Sequence, residues 1–396
     1  LVRGLRQAVL EAERARWKAR EVPRRLAIAA LLGASLAGLS LLLPWPPIPA
    51  AERWIGDLRL RTSPARQPDP RILLITLDEA SLESSPRPLA DRADEIGRGL
   101  SRIFAAGARG VAINLQLPAQ WSRSRSFADL VLHHPEDLTL AAFSAPDGTL
   151  VKMDCLDALT KVALGPQRTA DLFGFVNLDE DRDGVVRQGR LWFRDVDRFR
   201  RSSWVARAAR GLGAASSSGD ETPQRFWIDG RIDWQRYDPI SWRQVPAVLD
   251  RNPGRFADRL VLLGGDFRGS GDDYYRVPQT AGRGTAVSGL TLQALMVDTI
   301  GAGLPIREPG KMPVLVAAAL GAALAMTGIL CARRTRLIAI GLAAAAGAYL
   351  ALSLPIFWWT GLRLPITAPL LLVLLGSLAA LVLRRNLSSP PEVSAS

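Results

Sequence analysis

Histidine and cysteine are scarce in this chain, with two of each in 396 residues. His133 and His134 are neighbours in sequence, so their side chains diverge and are not expected to share a metal ion. Cys155 and Cys331 lie in regions of different character, the second inside an apolar run, so no disulfide framework is expected. There is no C-x-x-C, no H-E-x-x-H and no Ser–His–Asp arrangement. The glycine-rich stretch 264–271 lacks the Lys–Ser/Thr pair that a P-loop needs. With no nucleophile–base pair in sight, the chain is not expected to be an enzyme. Charge is the other absence. Residues 26–43, 313–332, 337–362 and 364–383 form uncharged runs of 18, 20, 26 and 20 residues. Each reaches the roughly 17–25 residues that span a bilayer core. None contains Asp, Glu, Lys, Arg or His, which speaks against an ion or proton pathway.

The positive charge lies beside these runs. Residues 1–25 hold eight Lys or Arg against three Glu, the loop 333–336 holds three Arg, and Arg384 and Arg385 follow the last run. Positive loops stay in the cytoplasm. The spacing predicts a basic cytoplasmic juxtamembrane helix over 1–25 and a membrane span over 26–43. An external domain follows over 44–312, then spans over 313–332, 337–359 and 364–383, and a cytoplasmic, disordered tail over 384–396. Phe357, Trp358 and Trp359 suit an interfacial aromatic belt on the outer side. These flanks carry most of the formal net charge of +12. The high isoelectric point therefore reports orientation in an inner (plasma) membrane and affinity for the lipid bilayer, and no nucleic-acid partner is expected.

The external stretch reads as alternating strands and helices, hence an α/β domain with a mainly parallel sheet and flanking helices. Residues 72–77, I-L-L-I-T-L, are a short apolar run read as a strand buried on both faces. Further strands are predicted over 108–115, 138–143, 173–177, 190–193 and 260–264. Helices are predicted over 89–106, 127–132, 202–212, 241–249 and 287–300. The strands at 72–77 and 108–115, with the helix between them, read as a βαβ unit. Asp229–Gly230 inside 226–234 reads as a hairpin turn. Residues 51–61 are read only as the chain's path out to the first strand.

Ligands of such sheets sit beyond the carboxyl ends of the strands. Asp78 and Glu79, closing the first strand, are therefore candidate ligand contacts, as are Asp266 and Asp272 in the loop after 260–264. Asp179, Asp181, Asp183 and Gly184 spell D-x-D-x-D-G, the opening of a calcium loop. The twelfth position, however, is Arg190, where a bidentate Glu is required. Two readings stand: calcium bound at 179–184, or a solvated acidic turn. No other cofactor is expected.

The sequence resembles the type-2 CHASE domain, an extracellular sensory domain of bacterial signalling proteins. The resemblance rests on D-P-R-I-L-L-I-T-L-D-E-A-S-L at 69–82, D-L-R-L-R at 57–61 and G-A-R-G-V at 107–111. It continues with F-G-F-V-N-L-D-E-D-R-D-G-V-V-R at 173–187, then 259–264, the turn 272–278 and 289–294. Three spans directly after the domain also fit that family. Asn114 stands where the family usually has Asp, and Gln293 where it usually has His. If the family's groups hold the ligand, both residues are ligand-binding candidates here. Relatives usually carry a cytoplasmic kinase, cyclase or phosphodiesterase after the spans, or an effector before the first. Leu1 in place of Met leaves room for an upstream domain. The resemblance implies a membrane-anchored sensor that passes an external signal to a separate or upstream cytoplasmic effector, as a homodimer or with a partner membrane protein. The alternative is a structural or assembly subunit of a cell-envelope complex that docks through the α/β domain.

Overall fold

The strand at the centre of that reading is apolar along its whole length because both its faces are covered. In a computed structural model describing residues 47–144, 150–151, 160–194, 200–214, 224–267, 273–280, 285–331 and 335–387, β1 runs Ile72–Asp78 and is buried up to Leu77. Ile72 and Leu74 point into one core, and Leu73, Ile75 and Leu77 into the other. This is the side-chain alternation of a pleated strand between two helical layers. The chain divides into two compact units, residues 60–306 and residues 1–59 with 307–396.

In the first unit, α1 (Pro47–Thr62) leads in from the other unit and is followed by β1 and α2 (Glu79–Glu83). Then come α3 (Ala93–Ala105), β2 (Gly110–Asn114), α4 (Arg125–His133), β3 (Leu138–Ser144) and β4 (Leu150–Val151). Next are α5 (Pro166–Leu172), β5 (Phe173–Phe175), β6 (Gln188–Arg190), β7 (Trp192–Arg194), β8 (Arg200–Ser202), α6 (Trp204–Ala208) and β9 (Arg225–Trp227). The unit closes with β10 (Ile240–Ser241), α7 (Val245–Arg251), β11 (Leu260–Asp266), β12 (Tyr274–Tyr275), β13 (Val287–Ser288) and α8 (Gly289–Gly301). The main sheet has seven strands. β10, β1, β11, β2, β3 and β5 pair in parallel in that order, and β4 adds antiparallel to the end of β3. Helices α3, α4 and α7 bury Ile96, Leu100, Ile103, Phe127, Leu130 and Leu249 on one face. Helices α6 and α8 bury Trp204, Val205, Leu290, Leu292 and Leu295 on the other. The unit is thus a three-layer α/β sandwich.

Several local expectations change. β1 and β2 are not neighbours: β11, arriving about 150 residues later, pairs with both. The simple βαβ unit is therefore opened by a non-local strand. Residues 226–234 form no hairpin. β9 pairs with β6, and the turn at Asp229–Gly230 leads into a parallel bridge between Ile232 and Arg66. The cause is the buried Asp229 carboxylate, which receives Arg231 and Arg66 instead of facing water. The strand expected at 190–193 is broken at Leu191, with β6 pairing to β9 and β7 to β8. The helix expected over 89–106 divides into a short 3-10 turn at 89–91 and α3. Val287 and Ser288 pair with β12, so α8 starts at Gly289 with Ser288 as its cap. Gly264, Gly265 and Asp266 belong to β11 rather than to a loop. Cys155, and the expected segments 1–25 and 26–43, lie outside the described residues.

The second unit holds α1 up to Arg59 and three long apolar helices, α9 (Lys311–Cys331), α10 (Thr335–Thr360) and α11 (Thr367–Leu387). Residues 51–61 are thus helical, not merely a path outward. Residues 384–387, expected in a disordered tail, continue α11. Two stretches, 312–330 and 338–360, are long and apolar enough to cross a membrane, and 369–382 is a shorter apolar stretch. Four spans therefore do not appear among the described residues. Glu52 of α1 caps α11: its Oε1 accepts from the Ile366 amide at 2.6 Å, the Thr367 amide at 2.5 Å and Thr367 Oγ1 at 2.6 Å. An acidic group at a helix N-terminus satisfies free amides and the positive end of the dipole.

Candidate functional site at the carboxyl edge of the sheet

The parallel register brings the ends of the central strands together. Asp78 of β1 stands beside Asp266 of β11, and Asn114 of β2 beside Gly264 of β11. All three predicted side chains are half-buried at this edge. Asp78 is the N-cap of α2, accepting the Ser81 amide at 2.8 Å and the Ser81 hydroxyl at 2.5 Å. Ser241 Oγ, from β10, donates to the same oxygen at 2.8 Å. Burial pushes the Asp78 carboxyl up, but the hydrogen bonds from Ser81 and Ser241 outweigh it and hold the group below its ordinary range. Glu79 is exposed in the first turn of α2, a favourable place for an acid.

Asp266 accepts the Tyr274 hydroxyl at 2.9 Å. Asp272 lies outside the described residues, but its neighbour Asp273 is seen. Burial, reinforced by the charge of Asp266, pushes the Asp273 carboxyl up to about 6. Asp273 also sits against the start of α8: its carbonyl accepts the Gly289 amide at 2.8 Å. A methyl at Gly289 would stand 2.2 Å from Asp273 Oδ1, so a side chain there would push the Asp273 carboxylate aside. Gln293 is buried on α8, and its Nε2 donates to the Val176 carbonyl at 2.9 Å. Its amide donor is thus used in tying α8 to the end of β5. The edge therefore gathers Asp78, Glu79, Asn114 and Asp266 and adds Ser81, Ser241, Asp273 and Tyr274, which sequence reasoning did not single out as contacts. Only Asp273, adjacent to Asp272 in an acidic pair, carried a sequence signal.

The acidic loop lies elsewhere and is occupied by arginine. Arg187 Nη1 meets Asp181 at 2.6 Å and its Nη2 meets Asp183 at 2.8 Å. Arg190 meets Asp179 at 2.6 Å, and Arg225 meets it at 3.2 Å. The Arg187 hydrogen bonds hold the Asp183 carboxyl below its ordinary range. Among the described residues no group of three or more His, Cys, Asp or Glu is placed to hold a metal ion.

At the opposite end of β1 lies a network that no sequence motif announced. Asp298, buried in the last turns of α8, accepts Arg66 Nη2 at 2.6 Å, the Asp69 amide at 2.8 Å and the Tyr237 hydroxyl at 3.2 Å. Arg66 also reaches Asp229 at 3.4 Å. This ties the chain just before β1 to the end of the unit's last helix.

A parallel sheet covered by helices on both faces, with polar side chains gathered at the carboxyl ends of its central strands, defines a three-layer α/β domain. The comparison with protein families is specific: the CHASE2 domain model matches residues 27–332, and the chain belongs to the CHASE2 family. CHASE2 domains are extracellular sensory domains, not catalytic ones. No curated protein and no solved structure matches the chain.

Proposed function

We propose that this chain is a membrane-anchored sensor whose α/β unit receives a signal outside the cell and transmits it inward. Membership of the CHASE2 family carries the reading. The two long apolar helices and the positive flanks of the uncharged runs support its membrane part. Residues 26–43, α9, α10 and α11 are the four spans, in a bacterial inner membrane, with residues 1–25 and 384–396 on the cytoplasmic side and 44–312 outside. The signal is received at the carboxyl edge, where Asp78, Glu79, Asn114, Asp266 and Asp273 favour a ligand that donates hydrogen bonds or carries positive charge. Output passes to a separate or upstream cytoplasmic effector, in a homodimer or with a partner membrane protein. The CHASE2 unit acts in this as a receiver, not as a catalyst.

The test has two stages. Cross-linking in native membranes and mass spectrometry identify the cytoplasmic partner. Its activity is then compared between the parent and a chain whose residues 60–306 are replaced by an unrelated folded domain. Loss of a condition-dependent response is expected. An unchanged response, or capture of envelope structural proteins alone, sinks the sensory reading, and the latter outcome favours a docking subunit.

A further inference from the structure

We infer that an apolar groove lined by α1, α10 and α11 is the seat of residues 26–43 of this same chain. This rests on the four-span reading above. The groove measures about 960 Å³ and is walled by Trp54, Ile55 and Leu58 of α1, Gly347 and Ala351 of α10, and Leu370 of α11. Trp54 is 64% exposed and Leu350, also on the groove, 40%. These are large apolar surfaces that call for cover by lipid or protein.

The glycines distinguish the two. A mid-helix glycine costs about 0.5–1 kcal/mol relative to alanine, so in a membrane bundle it marks close approach of a partner. Elsewhere in this unit that partner is visible. A methyl added at Gly321 would stand 3.6 Å from Val373, one at Gly328 3.8 Å from Ile338, and one at Gly376 3.3 Å from Met326. Gly341 and Gly347 of α10 differ: an added methyl would meet nothing within 4 Å among the described residues. Gly347 lies on the groove, four residues before Ala351 and so on the same helix face. An acyl chain has no need of a glycine there, whereas a helix backbone does.

Chain connectivity names the occupant. Residues 26–43 carry no charge and end three residues before α1 begins at Pro47. As a helix they extend about 27 Å, enough to run along α10. Gly33, Ala34, Ala37 and Gly38 give the segment small residues of its own. A short tether to α1, itself one wall of the groove, places the segment there at an effective concentration of the order of millimolar, which favours it over a second copy of the chain.

The experiment uses the full chain in native membranes with Cys155→Ser and Cys331→Ala. Gly347→Cys or Ala351→Cys is paired with single cysteines at 33, 34, 35, 36 and 37, and disulfide formation is driven by a mild oxidant. The expected result is cross-linking at monomer mobility, peaking at positions three or four residues apart, with intervening positions at least fivefold weaker. The pair Gly321→Cys and Val373→Cys, in contact between α9 and α11, is the control that the bundle has assembled. Cross-links at dimer mobility, or none at all five positions while the control links, overturn the proposal. Labelling the same cysteines with a membrane-impermeant maleimide separates the two levels. Protected but unlinked cysteines overturn only the seating in the groove, whereas labelled cysteines overturn the four-span reading as well.

Discussion

The two ends of β1 both hold carboxylates, and they treat them differently. At the amino end, Asp298 and Asp229 are almost fully buried and face guanidinium groups: Arg66 reaches both, and Arg231 meets Asp229 at 2.8 Å. At the carboxyl end, Asp78 and Asp266 are half-buried and receive hydroxyls and one amide. Guanidinium–carboxylate pairing fixes geometry in both directions and is costly to break. Hydroxyl donors reorient at little cost and leave negative charge uncompensated. The first end is where the chain enters and leaves the unit, so a fixed arrangement there keeps the two ends in register. The second is where ligands of this fold class bind, and uncompensated charge there is available to a ligand. One strand thus separates a lock from the edge proposed to be receptive.

That contrast is broken most directly at Asp298. Asp298→Ala leaves Arg66, the Asp69 amide and the Tyr237 hydroxyl without their shared acceptor. The expected loss is about 3–5 kcal/mol, the range for removing one partner of a buried ion pair. At about 2–4 °C per kcal/mol for a domain of this size, thermal unfolding of the solubilised full chain reads it as a drop of roughly 10 °C. A drop of only a degree or two contradicts the lock.

Asp78→Ala is expected to cost less, about 0.5–2 kcal/mol, as loss of a helix cap, and Asp78→Asn less still because its side-chain oxygen keeps accepting from Ser81. If Asp78→Ala matches Asp298→Ala in the same melt, the carboxyl edge is structural and the contrast fails. Asp273 sharpens the contrast through pH. Its folded-state value is raised from 3.8 to about 6. Between those values the folded state holds a proton that the unfolded state has lost, so this group's contribution falls as pH rises from about 4 to about 6 and then stays unfavourable. Asp273→Asn removes it. The variant is expected to be about 1 kcal/mol more stable than the parent at pH 7, after allowance for partial solvation, and no more stable at pH 4. A stability difference that does not change with pH refutes this.

How much of this was legible from the sequence follows from the range of each interaction. The strand at 72–77, its doubly buried character and its place in an α/β domain were readable because continuous apolar composition is local. Asp78 and Asp266 were placed at one edge by the rule for strand ends. Their adjacency was not readable, since it depends on β11 entering between β1 and β2. Nothing in the sequence near Asp298 points to Arg66, which lies 232 positions away. Buried ion pairs are non-local choices, and only the fold reveals them. Asp229–Gly230 shows the reverse failure, where a strong local turn signal was overridden because its carboxylate went inward to arginines. Residues 51–61 were under-read for a related reason: charged residues of α1, among them Glu52, which caps α11, and Arg59, which is fully buried, interrupt the apolar pattern that announces a helix.

The smallest expected effect concerns the acidic loop, which extends the contrast to a third set of carboxylates. Asp179, Asp181 and Asp183 have the spacing of cation ligands, but Arg187, Arg190 and Arg225 already supply the positive charge. Arg187 is 4% exposed, so its guanidinium cannot swing out to water without uncovering buried surface. A calcium ion entering the loop has to displace it and leave that charge unpaired, which is strongly unfavourable. Millimolar calcium is therefore expected to leave the thermal midpoint unchanged, within a degree, at constant ionic strength. Arg187→Gln should lower the midpoint and, by freeing two carboxylates, make it respond to calcium. A calcium-dependent rise in the parent protein shows instead that the arginines yield, and that this loop belongs with the receptive edge rather than with the lock.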